Sequence, residues 1–212
     1  MTVDMKPTSE AKAAAARRPR NAEATRQAIL ASALSGFTEA GYDGARVRDI
    51  AQGAGVDAML VNRYFGSKEE LFAQAVDAAY SGKGILTDDA LAVRDPAQLA
   101  TRIARALVDR TSPDAAALSG FLLGLRSAGN PSATAILRNR IACHFEHPLA
   151  AMLEGEGKPA RIALLLSIVS GVQAMRQIIS IGSFEGADPD QLVTQLAALI
   201  RPLLAPEAAS QS

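Results

Sequence analysis

Residues 46–68 read RVRDIAQGAGVDAMLVNRYFGSK, and this stretch leaves the chain little freedom in how it folds. Val47, Ile50, Ala51 and Ala54 recur at helical spacing and form one apolar face. Gly53 and Gly55 flank Ala54 and are expected to stop that helix, because glycine tolerates the left-handed conformation beyond a helix end. Asp57 is suited to cap a second helix by accepting from its free amides. Val61 and Phe65 share one face of that helix, leaving Ala58, Met59, Asn62 and Arg63 pointing away. Gly66 ends it, and Ser67 with Glu70 forms a capping box for the next helix. Two short helices about a glycine turn make a helix-turn-helix, whose second helix enters the DNA major groove. An ordinary helical hairpin shares the turn pattern, so the flanks must decide.

Those flanks carry an ordered set of residues: Arg26, Ile29, Ala33, Phe37, Gly41-Tyr42, Val47, Asp49-Ile50-Ala51, Ala54-Gly55-Val56, Tyr64-Phe65, Ser67-Lys68 and Leu71. Over residues 25–72 the chain resembles the TetR family of bacterial transcriptional regulators. The resemblance implies a homodimeric repressor, released from a near-palindromic double-stranded DNA operator by a small molecule. No nucleophile-base-orienter set is legible in the residues, so no enzyme activity and no cofactor are expected.

Composition agrees with a helical protein. The 212 residues are 49% apolar and only 4% aromatic, rich in alanine and leucine. Such residues favour helices. The expected fold is all-α: a three-helix DNA-binding domain followed by a helical ligand-binding and dimerisation domain, about nine helices in total. The expected divisions are a disordered basic tail (1–20), the DNA-binding domain (21–66), the effector and dimer domain (67–205, its first helix the linker) and a loose tail (206–212). Formal net charge is zero, but residues 1–68 hold ten Lys/Arg against seven Asp/Glu. A basic front on an acidic rear suits a DNA-binding head on a body that avoids DNA. Arg17-Arg18-Pro19-Arg20 is either an arm for phosphates or the minor groove, or a solvated tail. A single cysteine fits a reducing cytoplasm, and no apolar run is long enough to span a membrane.

Local start signals mark the body helices. Asp95-Pro96, Ser112-Pro113 and Asp188-Pro189 each pair a cap with a first-turn proline. Gly129-Asn130-Pro131 breaks the chain, Pro148 predicts a kink, and Pro159 opens a long helix to about residue 181. In the last helix Leu192, Leu196, Leu199 and Leu203 repeat.

The resemblance places Arg46, Arg48 and Lys68 at DNA, with Ala58, Met59, Leu60, Asn62, Arg63 and Tyr64 on the recognition helix. Arg48 suits a guanine or a phosphate, and Ala58, Met59 and Leu60 suit a thymine methyl. Asn62 replaces the tyrosine common in the family, which alters the expected base contacts. Leu60 and Tyr64 equally suit packing against the first helix. The apolar girth of residues 158–181 calls for burial on most sides. Leu165, Val169, Val172, Leu196 and Leu199 are therefore expected at a dimer interface. An effector pocket is expected among residues 112–128, 131–153 and 159–181. Its candidates are Phe121, Leu125, Arg126, His144, Gln173 and Arg176, and its two arginines suit a carboxylate.

Two other readings compete. Cys143, His144, Glu146 and His147 have spacing that a metal-responsive regulator could use. The Asn62 departure also suits a helical protein-binding adaptor that has lost DNA binding.

Overall fold

The computed structural model describes residues 9–81, 84–87, 91–112, 115, 118–184 and 186–205. Nine helices and no strand occur among them. α1 is Ser9–Gly44, α2 Val47–Gly53, α3 Ala58–Phe65 and α4 Lys68–Tyr80. α5 is Pro96–Arg110 and α6 Ser119–Ser127. α7 runs from Pro131–Ile141 through a π-helical turn, Ala142–Glu146, into His147–Met152. α8 is Lys158–Gln173 and continues into a second π turn, Ala174–Ile178. α9 is Pro189–Leu204.

The helix-turn-helix forms from the local signals named above, with one change. Gly53 remains helical, and Gly55, at φ 68°, is the residue that turns the chain. Val56 N–H then closes the turn on Ala51 O at 2.9 Å. Asp57 caps α3 by accepting from Met59 N–H at 2.7 Å, and Ser67 caps α4 by accepting from Glu70 N–H at 3.1 Å. α1 begins at Ser9, ahead of the expected Asn21 or Thr25, through an alanine-rich run of high helix propensity. Residues 1–8 of the expected disordered tail, and the tail at 206–212, lie outside the described residues.

Ile29, Ala33 and Phe37 of α1, Ile50 and Ala51 of α2, and Val61 and Phe65 of α3 are buried together. Leu71, Phe72, Ala75 and Val76 of α4 complete their core. Phe72 meets both Phe37 and Tyr42 edge-on, each at 5.0 Å between centroids. Leu123 of α6, with Ala133 and Leu137 of α7, belongs to this same core. Two body helices thus pack onto the head. The second core joins α5, the end of α7, α8 and α9.

Asp95, Asn130 and Asp188 cap α5, α7 and α9 through Gln98, Ala133 and Asp190 N–H. Ser112-Pro113 does not open a described helix: the next one starts at Ser119, with no side-chain cap. The disturbance expected at Pro148 lies just upstream, in the Ala142–Glu146 π turn. Proline has no N–H and crowds the carbonyl four residues before it, so the chain widens there.

Candidate nucleic-acid interface and effector cavity

α3 divides sharply between its two faces. Val61 and Phe65 are buried in the head, whereas Met59 is 79% exposed and Asn62 and Arg63 are also exposed. Ala58 and Tyr64 pack against the head core from its edge, and Leu60 is half-buried. The outward row of α3 is therefore Met59, Asn62 and Arg63. Arg63 spreads its guanidinium over the Tyr64 ring, 5.7 Å from the centroid. Arg46 and Arg48 are both exposed at the start of α2. Arg46 occupies the cap position of α2 without a side-chain cap bond, which leaves its guanidinium free to reach outward.

Lys68 is the half-buried member of the set. Its ammonium sits 4.7 Å above the Tyr42 ring, a cation–π contact that holds the charge at the start of α4. The Tyr42 hydroxyl donates to Glu69 at 2.7 Å. Burial and that bond push the hydroxyl up to about 12, and the same bond holds the Glu69 carboxyl below its ordinary value. Tyr42 also donates its backbone N–H to Ser127 Oγ at 3.0 Å, so one residue links the core, α4 and α6.

Arg126, expected in the pocket, instead donates to Thr38 O of α1. Asn130 Nδ2 donates to Asp43 at 2.7 Å alongside it. Gly41 lies in this seam at φ 69° and ψ −178°, pressed against the Arg126 backbone. At the other end of α6, a Cβ on Gly120 would come within 2.8 Å of the Tyr80 ring of α4. The sequence offered no sign of these contacts beyond the paired Gly41-Tyr42, because they join segments far apart in the chain.

A cavity of about 530 Å³ opens in the body beside that Gly120–Tyr80 contact. Its wall comes from the end of α4, the start of α6, and parts of α7 and α8, and Leu34 of α1 reaches it from the head. Phe121 and Gln173 line it, with Phe145. Leu125 borders a neighbouring, more open hollow of about 430 Å³. His144 and Arg176 lie elsewhere. His144 Nε2 is 2.9 Å from Asp77 Oδ1, which Arg140 also approaches at 3.2 Å. Arg176 donates to Val108 O at 2.9 Å and to Thr111 Oγ1 at 2.6 Å, and its burial lowers its pKa. The intended arginine pair is thus occupied by protein acceptors, and neither arginine lines the cavity.

Cys143 and His147 are exposed while His144 turns to Asp77. Among the described residues no three His, Cys, Asp or Glu side chains converge on a metal position. No helix among them is long and apolar enough to cross a membrane.

The dimer candidates also separate. Leu165 and Val169 are buried inside their own protomer, Val172 and Leu196 are half-buried, and Leu199 is 61% exposed. Among the exposed residues of α8 and the π turn after it, Leu164, Gly171 and Met175 share one helical stripe that continues to Ile179. The core face of α9 is Val193, Ile200 and Leu204; of the leucine repeat, Leu192, Leu196 and Leu203 pack half-buried against that core and Leu199 points outward.

A helix-turn-helix head packed on a helical body with an internal cavity defines a DNA-binding transcription regulator. The model of bacterial regulatory proteins of the tetR family matches residues 29–75, and that of the tetracyclin repressor-like C-terminal domain matches residues 97–204. The chain belongs to the TetR family of transcriptional regulators. No curated protein matches it. Solved structures repeat the fold. A transcriptional regulator from Rhodococcus sp. Rha1 is 27% identical over 84% of this chain and 95% of its own, with TM-score 0.55. A TetR-family regulator from Streptomyces coelicolor A3 is 24% identical over 86% and 95%, with TM-score 0.52. Another from Rhodococcus sp. is 17% identical over 86% and 100%, with TM-score 0.58.

Proposed function

We propose that this regulator is a cytoplasmic repressor that binds a near-palindromic operator as a homodimer and is released by a small molecule. The observation that carries this reading is the outward row of α3. Met59 is 79% exposed on a helix whose opposite face is fully packed. A large apolar side chain held into solvent beside Asn62 and Arg63 suits a groove edge with thymine methyls and base acceptors. Arg46, Arg48 and Lys68 then serve phosphates, with Arg48 also within the chemistry of a guanine. The half-buried Ala58, Leu60 and Tyr64 contribute at the margin of the contact.

Dimerisation is supported by exposed apolar surface on α8 and α9, two helices that pack together. Leu164, Met175, Ile179 and Leu199 are each at least 44% exposed. Gly171 has no neighbour within 4 Å of an added Cβ, which leaves room for a partner backbone. Two heads on a two-fold axis would then meet successive major grooves, about 34–36 Å apart or a multiple of it.

Release has a physical route. The cavity wall includes the end of α4 and the start of α6, and the far end of α6 is fastened to α1 at Thr38, Gly41 and Tyr42. A ligand that fits only one placement of α6 and α4 would favour one head spacing, and only such differential affinity shifts the population. The test is selection from random duplex DNA by the purified full chain. Enrichment of an inverted repeat supports the reading. Recovery of no common sequence, with the protein folded and dimeric, supports the adaptor alternative instead.

A further inference from the structure

The cavity's polar groups select what it accepts. Among the described residues on its wall there is no carboxylate and one cation, Arg110. Arg110 also borders the open groove along the outer face of α5 and is half-buried, so water partly screens its charge. Most of the remaining wall is aliphatic or aromatic, including Leu34, Leu118, Phe121, Phe145 and Leu166.

Ser81, Ser119 and Ser170 also line the cavity and are exposed, whereas Gln173 is its buried polar side chain. It is only 5% exposed, and its Nε2 donates to Val169 O at 3.2 Å. A carbonyl can only accept, so this bond fixes the amide with its oxygen on the other side. That Oε1 is buried and finds no hydrogen-bond partner. A buried acceptor left unpaired is costly, and a bound donor relieves the cost. Tyr80 also lines the wall, and its hydroxyl lies near Gly124, 3.7 Å from where a Cβ would sit, toward the neighbouring hollow. Burial raises it to about 12, so it stays uncharged.

We infer that the cavity takes an uncharged, largely apolar ligand bearing a hydroxyl, whose proton is donated to Gln173 Oε1. The inference rests on the reading of this cavity as the effector site. A carboxylate or ammonium ligand would lose its hydration here without a buried counter-charge among the described residues to replace it. An apolar molecule without a donor would leave Oε1 unpaired. Tyr80, which lines the same wall, carries the contact to Gly120 at the start of α6.

Calorimetric titration of the full chain with four probes on one ring system tests this: 1-naphthol, 1-methoxynaphthalene, 1-naphthoate and 1-naphthylmethylammonium. 1-Naphthol is expected to bind about tenfold more tightly than 1-methoxynaphthalene, the worth of one buried hydrogen bond. In Gln173→Met that gap closes while 1-methoxynaphthalene binding persists, which shows that the cavity survives the substitution. Tightest binding of 1-naphthoate, lost in Arg110→Gln, overturns the inference but leaves the effector cavity standing. An unchanged gap in Gln173→Met does the same. A chain that takes up none of the four probes overturns the effector cavity itself.

Discussion

Gly41 of α1 lies against the Arg126 carbonyl of α6 with no room for a Cβ between them. Its backbone, at φ 69° and ψ −178°, is in a region that only glycine occupies without strain. The contact joins the DNA-binding head to the body, and Arg126 Nη1 on Thr38 O and Ser127 Oγ on Tyr42 N–H flank it.

Gly41→Ala should therefore destabilise the chain by about 3 kcal/mol or more, since backbone strain adds to displacement of a packed carbonyl. Gly129→Ala, where an added Cβ meets nothing within 4 Å, should stay within about 0.5 kcal/mol of the parent. Urea unfolding followed by circular dichroism measures both. Equal midpoints for the two variants would remove the seam from the account.

The Tyr42–Glu69 bond should show in the pH dependence of stability. Glu69 has its folded pKa lowered, so its contribution is present above the ordinary carboxylate range and is lost as pH falls through the lowered value. Tyr42 has its folded pKa raised, so its contribution is present below its ordinary value and is lost as pH rises through about 12. Tyr42→Phe should cost about 0.5–1.5 kcal/mol at neutral pH. That deficit should shrink below about pH 4, where carboxylates protonate. A deficit constant from pH 3 to 7 would assign the loss to packing alone.

Leu164 and Leu165 are neighbours in sequence and should behave oppositely. Leu164→Asp places its charge on the exposed stripe of α8 and should yield folded monomers by light scattering. Leu165→Asp buries an unpaired charge in the protomer core and should unfold the chain, costing at least about 3 kcal/mol. A Leu164→Asp protein that remains dimeric would move the interface off this face.

The head was legible in the sequence because its signals are local. Gly55 turns the chain, Asp57 and Ser67 cap the helices that follow, and Val61 and Phe65 mark the buried face within a single turn. The same holds for the helix starts at Asp95 and Asp188. The inward face of α8 was not legible. A helix apolar nearly all round has no periodic signal, so Leu164 and Leu165 look alike until neighbours are placed. The fate of Arg126 and Arg176 was equally hidden. Each guanidinium is bound by a backbone carbonyl far away in the chain, and a carbonyl leaves no mark in the residue pattern. Gln173 could be singled out as a polar residue on an apolar helix, but its orphaned oxygen emerges only from packing.

The central claim is that paired α3 helices read a DNA sequence while Arg46, Arg48 and Lys68 hold its phosphates. The direct measurement is fluorescence anisotropy of the selected operator duplex and a scrambled duplex across a salt series. The account predicts that log Kd rises linearly with log salt, with a slope of about 0.9 per phosphate neutralised. Arg48→Ala should weaken binding by about 1–3 kcal/mol, lowering the slope if it holds a phosphate and narrowing the operator preference if it reads a base. Met59→Ala should leave the slope unchanged and lose about 1 kcal/mol of discrimination at one base pair. Equal affinity for operator and scrambled duplex at every salt concentration would contradict the account.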